Sequence, residues 1–282
     1  EARDRVGGRT LSEDVGGARF DLGGQWLGPG QTRVEALVRE FGIHTFPTWH
    51  TGKKILDLGG KISTYDSKIP SISPLHLIVL QVALSVLERM RKRVDPEAPG
   101  DTKNAAALDA STVEAMSRKL IPSRRVRALF DVGVRTIFGA EPSEISVLYF
   151  LTYLQAGGGF LKLAEIEDGA QQDRFVEGAQ SLALGLAAPL QNCITFNAPV
   201  LRIAQSAQGV EVLTPQKTLF AKRVILAIPP PFVGRIHHDQ PLSPQRDQLS
   251  QRMFMGQTIK CIALYSTAFW RDAGFSGEVL ST

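Results

Sequence analysis

The sequence predicts a mixed α/β (α+β) fold, in which a Rossmann-like sheet domain carrying a β-meander is interrupted by a mainly helical domain. Strand, glycine-rich turn and helix patterns alternate between residues 19 and 42, whereas residues 66 to 165 show mostly helical patterns. Three short strand-like runs and one apolar run follow residue 180. The 282 residues also exceed the usual size of one domain. We therefore expect two domains.

The first α/β stretch consists of an extended FDLGG, a turn GPGQT and a helix VEALVREFG. A glycine ends the helix, as is usual at a helix C-terminus. Its apolar residues recur at the spacing of one helical face: Val34, Leu37, Val38 and Phe41.

The helical block contains four amphipathic or apolar segments: LHLIVLQVALSVLERM, TVEAMSRKL, RRVRALFDVGVRTIF and EISVLYFLTYLQ. The most apolar of them, residues 75–87, is shorter than the ~20 residues that cross a bilayer. The basic cluster that follows it suits a helix C-terminus. We therefore expect a core helix, and membrane contact is the less favoured interpretation.

After residue 180, a further helix LALGLAAPL precedes the runs APVLRIAQ, GVEVLT and TLFAKRV, which predict an antiparallel meander. The apolar run VILAI comes next and ends at three prolines. Such a run is typical of a strand that is buried on both faces of a parallel sheet. The segment QTIKCIALY is predicted as a further strand.

Composition and charge exclude several classes of protein. A net charge of +4, from 32 basic and 28 acidic residues, is too small and too dispersed to predict nucleic-acid binding. The two cysteines are far apart, which favours a reducing, cytoplasmic location and no disulfide framework. The five histidines show no metal-binding spacing, and no G-x-S-x-G motif is present. No metal site is therefore predicted.

The opening segment EARDRVGGR carries the strongest local signal. An acidic residue such as Glu1 can accept hydrogen bonds from a ribose in a dinucleotide-binding fold. Gly7 and Gly8 would let the backbone approach a pyrophosphate, while Arg3 and Arg9 would neutralise it. Composition alone explains the segment equally well as a basic surface turn.

Lys260 is a second candidate, because it is the one charged residue in QTIKCIALY. If this segment is a strand, both of its faces are apolar apart from this lysine. A buried lysine would have a lowered pKa and could act chemically. The alternative is a lysine that extends to solvent at the end of a strand.

The run EARDRVGGRT, followed by DLGGQW, resembles the corresponding segments of flavin-containing amine oxidases of the monoamine oxidase type. Further matches follow in the order of that family: GPGQTRVEALVREFGI, VEGAQ, NAPVLRI, AKRVILAIPP, GQTIKC and the FW of AFW. The resemblance covers essentially the whole chain. It implies that the family's N-terminal G-x-G-x-x-G unit and its C-terminal flavin-binding segment lie outside these residues, and that this stretch alone is inactive.

The resemblance assigns a role to each candidate residue, with FAD as the cofactor. Glu1 corresponds to the acid that binds the ribose, and Arg3, Gly8 and Arg9 correspond to neighbours of the pyrophosphate. Gly23, Gly24, Gln25 and Trp26 correspond to the loop beside the flavin ring, where Trp26 also faces the substrate. Val200, in the first meander strand, corresponds to a backbone contact of the adenine. Gln171 would line the substrate cavity, and Lys260 would hold a water against flavin N5.

The implied reaction is oxidation of a primary or secondary amine to an imine, which yields an aldehyde, with reduction of dioxygen to hydrogen peroxide. An L-amino-acid oxidase is a rival, but the loop GGQWLG lacks the arginine that would hold a carboxylate. Desaturase-like or porphyrinogen-oxidase-like chemistry and an inactive flavoprotein-like remnant are further alternatives. A homodimer is one assembly that the resemblance allows.

The domain limits follow from the same comparison. Residues 1–50 and 175–250 are expected to form the FAD-binding domain, and residues 51–174 a mainly helical substrate domain. Residues 251–282 are expected to return to the substrate domain as a strand region.

Overall fold

The computed structural model describes residues 1–67, 69–70 and 72–281, and it has the mixed α/β character that the sequence predicts. The helices are α1 Thr32–Glu40, α2 Pro74–Arg91, α3 Ala105–Asp109, α4 Val113–Leu120, α5 Arg124–Phe138, α6 Val147–Ala156, α7 Phe160–Ala164, α8 Gln180–Ala187, α9 Pro244–Arg252 and α10 Phe269–Asp272. The strands are β1 Ser12–Val15, β2 Ala18–Asp21, β3 Trp26–Leu27, β4 Thr45–Pro47, β5 Lys53–Leu58, β6 Lys61–Tyr65, β7 Asp173–Phe175, β8 Arg202–Ser206, β9 Gly209–Leu213, β10 Thr218–Ala221, β11 His237–His238 and β12 Phe275–Ser281.

The larger core lies among α2, α4, α5 and α6, the four helices predicted between residues 66 and 165. Side chains at their ends explain where three of them begin: Thr112, Ser123 and Ser146 each accept a hydrogen bond from the first turn. Phe130 and Phe150, both fully buried, pack with ring centroids 6.1 Å apart. The apolar faces read from the sequence therefore face one another.

Two sheets extend this framework. The hairpin β5–β6 pairs with β12, which runs parallel to β5 and brings Leu280 against the helical core. The strands β8, β9 and β10 form the predicted antiparallel meander, and β11 adds in parallel to β8. The antiparallel neighbours in both sheets are joined by short turns, whereas the parallel pairs β5–β12 and β8–β11 are joined through long stretches of chain.

A smaller core joins the N-terminal third of the chain to residues 173–187. The strands β3 and β4 flank β7 in an antiparallel sheet. One face of this sheet places Leu27 and Phe175 in a cluster with Ala179, against which the apolar side of α1 packs. Sequence-distant strands thus meet beside the segment DLGGQW.

Two predicted strands are wrong. In the described residues, 224–228 and 257–265 pair with no other strand, and Ile225 and Ile259 are each 91% exposed. An apolar run forms a buried strand only where neighbouring strands take up its hydrogen bonds, and no described strand lies beside either run. Val200 also lies two residues before β8 rather than within it.

No helix in the described part of the chain has the length and apolar character needed to span a membrane. The predicted domain limits remain a prediction.

Candidate functional site

A buried polar network holds the opening segment against the turn that follows β7. The Ser12 hydroxyl donates to Asp21 Oδ1 at 2.6 Å, and the Ala179 amide donates to the same oxygen at 2.8 Å. The Gln180 side chain accepts from the Ser12 amide and donates to the Val6 carbonyl, at 3.0 and 2.9 Å. Because buried polar groups are costly unless paired, this network fixes where residues 6–12 run.

The predicted glycines lie where this opening segment meets the DLGGQW loop. The Gly24 amide donates to the Arg9 carbonyl at 3.0 Å, and a Cβ on Gly23 would lie 1.8 Å from that same oxygen. Gly7 and Gly8 have φ angles of +98° and +51°, which favour glycine. No neighbouring atom lies within 4 Å of a Cβ built on Gly8, so its backbone is open to an approaching group.

Glu1 and Arg3 lie at the other end of the opening segment, beside the stretch that leads to β8. The Ala198 and Asn197 amides donate to the Glu1 and Arg3 carbonyls, each at 2.9 Å. This pairing brings Glu1 near Val200, so both predicted contacts of the nucleotide end are on one side of the protein. Both side chains at positions 1 and 3 are exposed.

Lys260 reaches the same loop from the irregular segment 257–265. Its Nζ donates to the Asp21 and Gly23 carbonyls at 2.9 and 2.6 Å and to Gln25 Oε1 at 3.0 Å. Partial burial lowers the pKa of Lys260, and the positive charge of Arg174 lowers it further while Asp21 opposes the shift. The predicted strand is absent and the Lys260 side chain is exposed overall, but its ammonium donates hydrogen bonds to the predicted loop.

Gln171 lies in the turn between α7 and β7 and is half-buried. The backbone N–H of Gln171 donates to the Glu165 carbonyl at 3.3 Å. The turn packs tightly on the DLGGQW side of the protein, since a Cβ on Gly28 would lie 2.7 Å from the Ala170 Cα. Gln171 is therefore close in the fold to Trp26, which begins β3.

Sequence reasoning missed three residues of this region. Asp21 and Gln180 belong to DLGGQW and VEGAQ, but their contacts join positions 158 and 168 apart, which no local pattern reveals. Arg174 lies directly opposite Trp26 in the β3–β7 pair. Its position after GAQQD in a predicted loop gave no signal.

The candidate residues thus form one continuous line. It runs from Glu1 and residues 197–200, through Gly7 to Arg9, to Gly23 to Trp26, and ends at Lys260, Arg174 and Gln171. Which residues touch a ligand stays a prediction.

Comparison with known proteins places this arrangement among flavoenzymes. The sequence profile of a family described as flavin containing amine oxidoreductase matches residues 1–282. A Dictyostelium discoideum protein named "Probable flavin-containing monoamine oxidase A" is 36% identical over 282 aligned positions. The alignment covers 99% of this chain and 62% of that protein. The flavin-containing amine oxidase of Danio rerio is 31% identical over 99% of this chain and 54% of its own length.

Solved structures agree. Cyclohexylamine oxidase from Brevibacterium oxydans superposes with a TM-score of 0.89 at 28% identity, covering 100% of this chain and 63% of that enzyme. A putrescine oxidase bound to putrescine superposes with a TM-score of 0.89 at 26% identity, with the same coverage. The chain therefore spans between 54% and 63% of the length of these proteins.

Proposed function

This chain belongs to the flavin-containing amine oxidoreductase family, with FAD as its cofactor. We therefore propose that the protein oxidises a primary or secondary amine, with dioxygen as the electron acceptor. The observation that carries the proposal is the convergence of Lys260 on the loop Asp21–Gln25, beside Trp26. Two sequence elements separated by more than 230 positions meet there.

The residues present fit FAD. In the described part of the chain, the guanidinium groups of Arg3 and Arg9 make no hydrogen bond or ion pair, and the open backbone at Gly8 lies between them in sequence. Free cations beside an accessible glycine backbone suit a pyrophosphate. Glu1, next to residues 197–200, would accept hydrogen bonds from the ribose, and the backbone at Val200 would meet the adenine.

FAD, when bound, supplies the two-electron oxidation that turns the amine into an imine and passes the electrons to dioxygen, giving hydrogen peroxide. Water then hydrolyses the imine to an aldehyde and ammonia, or, when the substrate is a secondary amine, to an aldehyde and a primary amine. Trp26 and Gln171 would line the substrate side and orient the amine. A dry cavity also favours the neutral amine, because desolvation disfavours ammonium.

Lys260 is proposed to hold a water at the reacting end. An ammonium has three N–H donors, and all three are directed to Asp21, Gly23 and Gln25. Gln25 is the only side chain among these acceptors, and its contact is the longest, at 3.0 Å. The water would therefore take the place of the Gln25 amide oxygen, while the two carbonyls keep the lysine in position.

The reaction is tested by mixing the FAD-loaded full-length protein with a panel of amines. We expect anaerobic amine to bleach the flavin absorbance, and aerobic turnover to give equal amounts of hydrogen peroxide and aldehyde. The trimethylammonium analogue of each amine is the matched control, since it cannot form a neutral imine. Flavin that no amine reduces, or that the trimethylammonium analogues reduce equally well, would contradict the proposal and favour the inactive alternative.

The nucleotide end is tested by Glu1→Ala and Arg9→Ala in the full-length protein. Charge-assisted hydrogen bonds are each worth roughly 1.5–3 kcal/mol, so each change should weaken FAD binding about ten-fold to a hundred-fold. Titration of the apoprotein, followed by quenching of flavin fluorescence, measures the affinity. Arg33→Ala removes an exposed arginine from α1 and should leave the affinity unchanged. Equal affinity in all three variants would mean that EARDRVGGR is only a surface turn.

A further inference from the structure

An aromatic–guanidinium–aromatic row crosses the sheet β3–β7–β4 beside the proposed site. Arg174 of β7 is directly opposite Trp26 of β3 on one side and Phe46 of β4 on the other. Side chains at directly opposed positions lie on the same face of a sheet. The Arg174 guanidinium carbon is 5.5 Å from the centroid of the Phe46 ring. The opposite face carries Leu27 and Phe175 into the smaller core, so the row faces away from it.

This face carries the positive charges of Arg174 and Lys260. Arg174 Nε is buried without a hydrogen-bond partner, and no ion pair to Arg174 occurs among the described residues. Lys260 is close enough for the charge of Arg174 to act on it, and its own contacts are to carbonyls and an amide. In the described part of the chain, Asp21 is the acidic group whose charge acts on Lys260, and its Oδ1 already accepts two hydrogen bonds.

An arginine side chain packed on an aromatic ring suits a carboxylate. The planar donors of the guanidinium match the two oxygens of a carboxylate, and the adjacent Phe46 ring lowers the local dielectric, which strengthens the pairing. Trp26 and Phe46 are 43% and 40% exposed, so the row is accessible from the side that Trp26 shares with the proposed substrate. A simple alkylamine offers no acceptor for the Arg174 guanidinium.

We propose that Arg174 is a specificity-determining residue that binds a carboxylate of the substrate, so that the preferred substrates are amines whose carbon skeleton also carries a carboxylate. This inference rests on the proposed amine oxidation. The loop GGQWLG has no arginine that could bind the carboxylate of an amino acid. The required cation comes from the adjacent strand instead, where only the fold reveals it.

The test compares amino acids with the amines that remain when their carboxylate is removed, using the FAD-loaded full-length protein. Wild type should show the higher kcat/KM for the amino acid of at least one pair. Arg174→Gln should lower kcat/KM for that amino acid ten-fold to a hundred-fold and change that of its paired amine less than three-fold. Arg174→Lys keeps the charge but not the planar donors, so its kcat/KM for the amino acid should lie between those of wild type and Arg174→Gln. Arg33→Gln, on the exposed side of α1, is the control for loss of an arginine.

A second measurement does not depend on turnover. Carboxylates without an amine group, such as benzoate and hexanoate, should perturb the flavin absorption spectrum of wild type, and Arg174→Gln should weaken their binding ten-fold or more. A wild-type preference for the plain amines, or carboxylate binding that is equal in wild type and Arg174→Gln, would overturn the proposal. If no amine reduces the flavin but carboxylates still bind through Arg174, the proposed oxidation fails while the carboxylate site stands.

Discussion

Gly23→Ala is expected to destabilise the protein by about 3 kcal/mol and to abolish retention of FAD. The added Cβ would lie 1.8 Å from the Arg9 carbonyl oxygen and 2.7 Å from its carbon. Both are backbone atoms, so no side-chain rotation can relieve the overlap, and the loop must move away from the opening segment. That movement also shifts the Gly23 carbonyl, to which Lys260 donates. Flavin content per protein and the midpoint of thermal unfolding measure the two effects.

The neighbouring glycine supplies the control. A Cβ on Gly24 would meet only the Thr10 Cγ2, at 3.7 Å, which is an ordinary contact. Neither Gly23 nor Gly24 has a positive φ, so backbone strain does not distinguish them. The free energy of unfolding of Gly24→Ala should differ from that of wild type by less than about 0.5 kcal/mol. If Gly23→Ala is as stable as Gly24→Ala, the loop at Gly23 does not lie against the Arg9 carbonyl.

Lys260→Met should slow the reaction of the reduced enzyme with dioxygen roughly a hundred-fold, about 2.7 kcal/mol in barrier height. Dioxygen gains negative charge as it is reduced, and the ammonium is the positioned cation at this end of the site. Reduction of the flavin by amine should change only a few-fold. Stopped-flow absorbance separates the two half-reactions. Because burial lowers the pKa of Lys260, the fast reoxidation of wild type should also be lost as pH rises through a value below that of free lysine.

Lys119→Met, which removes an exposed lysine of α4, should leave both half-reactions unchanged. Methionine keeps much of the length and apolar packing of lysine, so the fold should survive. Reoxidation at the wild-type rate in Lys260→Met would assign the lysine a purely structural role, as a clamp on the loop Asp21–Gln25.

Helices and strands could be predicted from the sequence where the pattern that indicates them lies within a short stretch of neighbouring residues. Helices α4 and α5 were predictable because each places apolar residues on one face, and α2 and α6 because they are mainly apolar runs. Three of the four begin at a capping hydroxyl. The meander was predictable from short alternating runs and the turn around Gly209. The runs 224–228 and 257–265 misled because apolar content indicates burial, whereas a strand also requires a neighbour to share its hydrogen bonds.

The site was predictable only in part, for the same reason. The sequence indicated Lys260 and the glycines of DLGGQW through their resemblance to family motifs. The contacts of Asp21 and Gln180, and the place of Arg174 opposite Trp26 and Phe46, depend on pairings across more than a hundred positions. The lysine shows the difference most clearly: the reasoning from an apolar strand was wrong, yet its ammonium lies against the loop that the resemblance indicated.

The hydrogen bonds among Ser12, Asp21, Ala179 and Gln180 have a consequence for the order of folding. They close over separations of 158 and 168 residues, and bringing such distant positions together costs chain entropy that grows with the length of the loop. The helices between residues 74 and 164 contact one another over much shorter separations and can assemble first. Amide hydrogens of α5 and α6 should therefore become protected early in refolding, and those of Ser12 and Ala179 late.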